Sequence, residues 1–209
     1  WIKGTTQQIL WTPTGTYLGN VLIEYSTNGG TNWTTIGTKA SGNDAVQQSQ
    51  NWLIPDLIGA NILVKITTQV NALIDVVDQS DALFKIRGNI VLNTPNGSNI
   101  WYVGETNRSI DWSATGTVTP VKIEYSTNNG GGWTELTSTF AGAEGSNTYP
   151  WNPIPNVKSE QCLVRVSDAR ADFTSIVTAT SAANFSIRPQ ITVTQPAVGA
   201  NIPASSNGN

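Results

Sequence analysis

Few side chains in this chain are placed to do chemistry. Its 209 residues include no histidine, which removes the commonest general base and metal ligand. The single thiol, Cys162, alternates with Val164 and Val166, and its counterpart one hundred residues earlier is Ile62. A position that accepts isoleucine is a core position, so the thiol is expected to behave as a small buried hydrophobe. The densest carboxylate cluster is Asp75, Asp78 and Asp81. Calcium takes such ligands, but the spacing is not that of a D-x-D-x-D-G loop. The second hundred residues offer only Asp168 and Asp172 in the same area, so a solvated strand edge is expected. No nucleophile–base or acid–base arrangement stands out. The expectation is a non-catalytic chain with no cofactor and no metal.

The motif that does recur is polar and local. Ser26-Thr27-Asn28-Gly29-Gly30-Thr31-Asn32-Trp33 returns as Ser126-Thr127-Asn128-Asn129-Gly130-Gly131-Gly132-Trp133. In both copies a serine, an asparagine and a tryptophan (Ser26, Asn28 and Trp33; Ser126, Asn128 and Trp133) are spaced so that the polar side chains cap their own turn while the ring packs beside it. Glycine supplies the positive φ angles that such a hairpin needs. Glu24 and Lys65, and by repeat Glu124 and Arg165, are expected to meet as outward charges on neighbouring strands. Exposed pairs of this kind contribute roughly 0.2–1 kcal/mol.

These residues sit on elements that repeat. Each tryptophan has a twin about one hundred residues on: Trp1 with Trp101, Trp11 with Trp112, Trp33 with Trp133, Trp52 with Trp151. VLIEYSTN at 21–28 returns as VKIEYSTN at 121–128. Short alternating apolar runs, punctuated by Gly, Asn, Pro and Ser, predict an all-β chain of antiparallel sandwiches and no helix. In the second copy the strands are expected at 90–94, 108–113, 121–126, 133–136, 148–151 and 161–167. A last one is expected over 174–187, broken by a bulge near Ser181. The first copy repeats this from Gln7 to Arg87 without a counterpart of the strand at 90–94. The predicted units are 1–87, a sandwich lacking its first strand, and 88–188, a complete one. Residues 189–209 are the opening of a further repeat, because Ile191-Thr192-Val193-Thr194-Gln195-Pro196 matches Ile90-Val91-Leu92-Asn93-Thr94-Pro95.

Two expectations follow from that mismatch. The chain reads as a piece of a longer tandem array. Alternatively, Ile191, Val193, Gln195 and Pro196 form a donor strand that fills the open groove of another copy by strand addition, since an unfilled edge is an aggregation hazard. The partners expected are thus copies of the chain or adjacent repeats of it.

Composition narrows the setting. Charged residues are 12% of the chain, against about 25% in ordinary soluble domains. Threonine, serine, asparagine and glycine replace them, as suits a bacterial cell-surface environment. Net charge is −3 with scattered cations, which argues against nucleic acid. No apolar run approaches the roughly 20 residues of a membrane span. Asn32, Asn96, Asn107 and Asn184 head Asn-x-Ser/Thr sequons.

The residues also carry resemblances. The recurring hairpin is similar to the Asp-box of sialidase propellers, with asparagine at the aspartate position. That motif is structural, and a propeller blade repeats at about 40–50 residues rather than one hundred. IEYSTNGGTNWTTI, TYPWNPIP, CLVRVSDA and NFSI together resemble immunoglobulin-like or fibronectin-III-like repeats of large bacterial surface proteins. The resemblance implies a rod-like extracellular array, as in a surface filament, surface layer or giant adhesin. A carbohydrate-binding or adhesive module taking a cell-surface glycan, or a spacer of a secreted hydrolase, is the alternative. The first copy departs from the pattern in 65–86, and the immunoglobulin cysteine pair is absent.

Overall fold

The structure is a computed structural model that describes residues 1–15, 19–69 and 76–195. Among the described residues every element is a strand. The first repeat forms β1 (Thr6–Trp11), β2 (Asn20–Ser26), β3 (Thr34–Ala40), β4 (Gln48–Leu53), β5 (Gly59–Thr68), β6 (Val77–Gln79) and β7 (Phe84–Ile86). The second forms β8 (Asn89–Thr94), β9 (Ile100–Tyr102), β10 (Ser109–Thr115), β11 (Val121–Ser126), β12 (Thr134–Phe140), β13 (Gly145–Pro150), β14 (Ser159–Asp168), β15 (Thr178–Thr180) and β16 (Phe185–Arg188).

Each repeat builds its own pair of sheets. In the second, β13, β10 and β8 form one sheet, and β12, β11, β14, β16 and β9 form the other, with β15 also on β14. All pairings within this repeat are antiparallel except β16 with β9. In the first, β3, β2, β5 and β6 form the larger sheet, with β7 on β5, while β1 pairs only with β4. Period-two alternation selects the inner faces. On β10, Ile110, Trp112 and Ala114 point inward between half-exposed neighbours, and on β8 Ile90 and Leu92 do so. The two apolar clusters are centred on Trp112, Trp101 and Phe185 in the second repeat and on Ile23, Ile62 and Ile86 in the first. Cys162 lies in the second cluster, fully buried, and burial pushes its thiol pKa up.

The last strand differs from the sequence expectation. Residues 170–177 do not extend. They fold into overlapping turns, with the Phe173 and Val177 amides donating to Arg170 and Phe173 carbonyls, and this drives Phe173 and Val177 into the core. The break near Ser181 has a definite cause. Its hydroxyl accepts the Val164 amide at 3.0 Å, taking the place of a ladder carbonyl, and Ser80 does the same for Val64 at 3.2 Å.

Candidate functional site: hairpins, joint and open groove

The two hairpins close on themselves. Ser26 Oγ accepts the amides of Asn28 (3.2 Å) and Gly30 (2.9 Å) and donates to Asn28 Oδ1 at 2.9 Å. Asn28 Oδ1 also accepts the Asn32 amide at 2.9 Å. In the second copy Ser126 and Asn128 make the same set, with Gly132 donating to Asn128 Oδ1 at 2.9 Å. Asn129 takes φ +56° where the first copy has Gly29 at +66°, as asparagine readily does. The hairpin tips tie to the start of the next strand through Gly29 N to Asn61 O and Asn129 N to Gln161 O. Trp33 and Trp133 do not sink beneath the turn. They stay half-exposed on the sheet, under Lys65 Nζ at 4.3 Å and the Arg165 guanidinium at 4.2 Å. These residues hold a turn, and their polar atoms are spent doing so.

Both expected charge pairs form. Lys65 meets Glu24 at 2.8 Å and Arg165 meets Glu124 at 2.7 Å, each across paired strands. The second pair is not exposed as expected. Glu124 is buried, with Lys122 as a further partner at 2.8 Å. Burial alone would raise its pKa, but the hydrogen bonds from Lys122 and Arg165 outweigh it and hold the carboxyl below its usual value. Among the described residues no three acidic or thiol groups converge on a metal-sized site. Asp78 and Asp81 are exposed near β6, and Asp75 lies outside the described residues.

Between the repeats the chain runs from β7 through Arg87 and Gly88 into β8, and side chains brace the turn. Asp56 accepts the Thr117 amide and hydroxyl at 3.0 and 2.6 Å. Lys3 pairs with Glu144, and Lys85 with Asp172 at 3.0 Å. Arg170 Nη1 reaches the Ile58 carbonyl and Arg87 Nη1 the Ile176 carbonyl. Gly88 is needed here for space: a Cβ on it would stand 2.5 Å from Val118 Cγ2 and 2.7 Å from Thr115 O.

The largest opening lies where the two repeats differ. In the second repeat β8 pairs with β10 and lies beside β15. In the first, the corresponding edge of β1 carries no strand among the described residues. A groove of about 930 Å³ occupies the place, running between β1 and β6 and lined by apolar side chains including Trp1, Ile9, Trp11, Val64, Ile66 and Phe84. The twins report the loss. Trp112 and Trp101 are 0% and 2% exposed, whereas Trp11 is half-buried and Trp1 is 37% exposed.

The tail is the converse. Ile191 is 95% and Val193 79% exposed, Gln195 is exposed too, and none of them joins a strand. The structure therefore does not bring Ile191, Val193 and Gln195 to the groove of their own chain. Pro196 lies outside the described residues. Sequence reasoning missed the parallel addition of β9 to β16, matched in the first repeat by the bridge of Ile2 to Arg87. The match of Trp1 with Trp101 is its signal.

No protein-family model matches this chain, and no curated protein matches its sequence.

Proposed function

We propose that the chain is a structural module of an extracellular filament, surface layer or giant adhesin. In this reading it consists of two immunoglobulin-like sandwiches in series, and copies join head to tail by donating residues 190–196 into the groove of the first repeat. The observation that carries the reading is one of position. The groove lies where β8 lies in the second repeat, and the exposed tail repeats the β8 sequence: Ile191 for Ile90, Val193 for Leu92, Pro196 for Pro95. In the second repeat Ile90 and Leu92 are 5% and 7% exposed, so the donated strand has a worked precedent within the same chain.

The physical gain has two parts. Ile191 and Val193 leave water, each contributing about 1.5–3 kcal/mol on full burial. The open edge of β1 gains ladder partners for its backbone groups, at about 0.5–1.5 kcal/mol net apiece. Against these stands the ordering of the tail, about 1–2 kcal/mol per residue. The sum favours assembly only if both apolar side chains seat. The braced joint then transmits tension from one repeat to the next, because strands on either side of Gly88 are continuous in the chain and pinned by Asp56 and Lys3.

Sedimentation velocity of the full chain over a range of concentrations tests this. Wild-type chains should form end-to-end oligomers. A variant with Ile191→Asp and Val193→Asp should stay monomeric, and a synthetic peptide of residues 189–196 should cap wild-type growth. Equal assembly by the double-aspartate variant would overturn the proposal.

The same groove supports a second reading, because Trp1 and Trp11 line it and indole faces stack on sugar rings. A carbohydrate-binding role predicts that soluble glycans shift tryptophan emission in the double-aspartate variant as they do in wild type.

A further inference from the structure

The reading above fixes more than the donated strand. It also fixes which surfaces meet where one copy ends and the next begins. The inference that follows rests on that reading and concerns this second joint.

Inside the chain, Gly116 is the point on which the first repeat leans. A Cβ there would be 2.9 Å from Ile58 Cδ1, 3.1 Å from Asp56 Oδ1 and 3.4 Å from Lys3 Cβ. The repeat carries these positions forward one by one. Gly4 N bonds Ile54 O as Gly104 N bonds Ile154 O, and Leu57 N bonds Pro55 O as Val157 N bonds Pro155 O. This makes Asn156 the counterpart of Asp56 and Lys158 that of Ile58. Lys3 N and Val103 N bond Arg87 O and Arg188 O, each at 3.0 Å, so Val103 stands for Lys3. On the accepting side the Thr-Gly-Thr run at 115–117 matches that at 14–16, so Gly15 stands for Gly116.

The cation has therefore moved. Within the chain Lys3 carries it and pairs with Glu144, in the connection between β12 and β13. At the far end of the second repeat position 103 is apolar, and the cation stands at Lys158, in the place that leans on the glycine. On the accepting repeat that glycine is Gly15, whose amide donates to Asp44 Oδ1 at 2.7 Å. Asp44 lies in the connection between β3 and β4, the counterpart of the one that holds Glu144. A strand seated on β1 as β8 sits on β10 brings Lys158 over this carboxylate.

The backbone at the joint changes as well. Pro189 takes the place of Gly88 and carries the Cβ that would stand 2.7 Å from Thr115 O. The joint between copies must stand off from the accepting backbone at Thr14 by several tenths of an ångström. Lysine, longer than isoleucine, spans that wider gap.

We infer that Lys158 of one copy pairs with Asp44 of the next, in a joint distinct from the one inside the chain. Two kinds of joint then alternate along the assembly.

Charge reversal in the full chain tests this. Lys158→Glu and Asp44→Lys should each weaken association by about three- to tenfold at low salt. The double variant should return to within about twofold of wild type. The single-variant defects should fade as ionic strength rises well above about 0.15 M. The peptide of residues 189–196 lacks Lys158. It should bind the Asp44→Lys chain as tightly as wild type, which shows that the groove of that variant is intact. Wild-type chains that stay monomeric and do not bind the peptide would remove strand donation, and this pairing with it. Normal assembly of both single variants, or single defects without rescue in the double variant, would overturn the pairing and leave strand donation standing.

Discussion

Truncating Ile191 to alanine gives the sharpest measure of the groove. In the second repeat the side chain at this position, Ile90, is 5% exposed, and in the tail Ile191 is 95% exposed. Donation therefore moves nearly the whole side chain out of water. Removing a buried isoleucine down to Cβ costs about 2–5 kcal/mol, which is about 30-fold to several-thousand-fold in affinity. The lower end applies here. Val193 is smaller than Leu92, and Trp11 replaces the fully enclosed Trp112, so the neighbours can close part of the void. The expected loss is about 30- to 100-fold for a 189–196 peptide carrying Ile191→Ala. The control is built into the pleat. Thr192 corresponds to Val91, which is 53% exposed, so Thr192→Ala should change affinity by less than about threefold, in the range of surface substitutions. Titration followed by tryptophan emission is suitable, because Trp1 and Trp11 line the groove and should shift to the blue as it fills. Equal losses for the two peptides, or no loss for Ile191→Ala, would refute a strand in the β8 register.

The remaining predictions concern stability. Ser126→Ala removes the acceptor of two backbone amides, those of Asn128 and Gly130, and should cost about 1–3 kcal/mol, read as a lower denaturant midpoint with an unchanged slope. Its effect on peptide binding to the first repeat should be nil. The Glu124 carboxyl is held below its usual value of 4.5, so its folded pKa lies under its unfolded one. Its contribution to stability is then present above the unfolded value and lost as pH falls through the folded one. Wild type should exceed Glu124→Gln in urea midpoint at pH 7, and the gap should close between about pH 4.5 and pH 3. A gap that persists at pH 3 would show that the advantage lies in packing rather than charge.

How far the sequence reveals this molecule depends on how local each cause is. The hairpins are legible because Ser26, Asn28 and two glycines satisfy one another within a few residues. Glu24 facing Lys65 is legible because alternation on β2 and β5 sets both side chains on one face and the register follows from the repeat. The burial of Glu124 is not legible, since it is produced by Lys122 and Arg165 closing over an outward face. The fate of 170–177 is not legible either. Its threonines favour a strand, but Phe173 and Val177 have space in the core that an extended chain would leave empty, and packing overrides local preference. The parallel additions of Ile2 and of β9 escape because so short a pairing has no period to read.

The tryptophan pairs join these observations. Trp11 and Trp112 share a residue type, a strand and a register, and so do Trp1 and Trp101. Their burial differs, so the cause lies in what stands next to them, and the differing neighbour is β8. A molecule that covers this groove must supply two things at once. One is apolar side chains at alternate positions for Ile9, Val64 and Phe84 to pack against. The other is backbone donors and acceptors spaced for the edge of β1. A sugar ring offers a face for Trp1 but no ladder of amides, and a compact apolar ligand offers packing but no hydrogen bonds. An extended peptide with isoleucine and valine two residues apart offers both. Residues 190–196 are such a peptide, already proven in kind by β8 against β10.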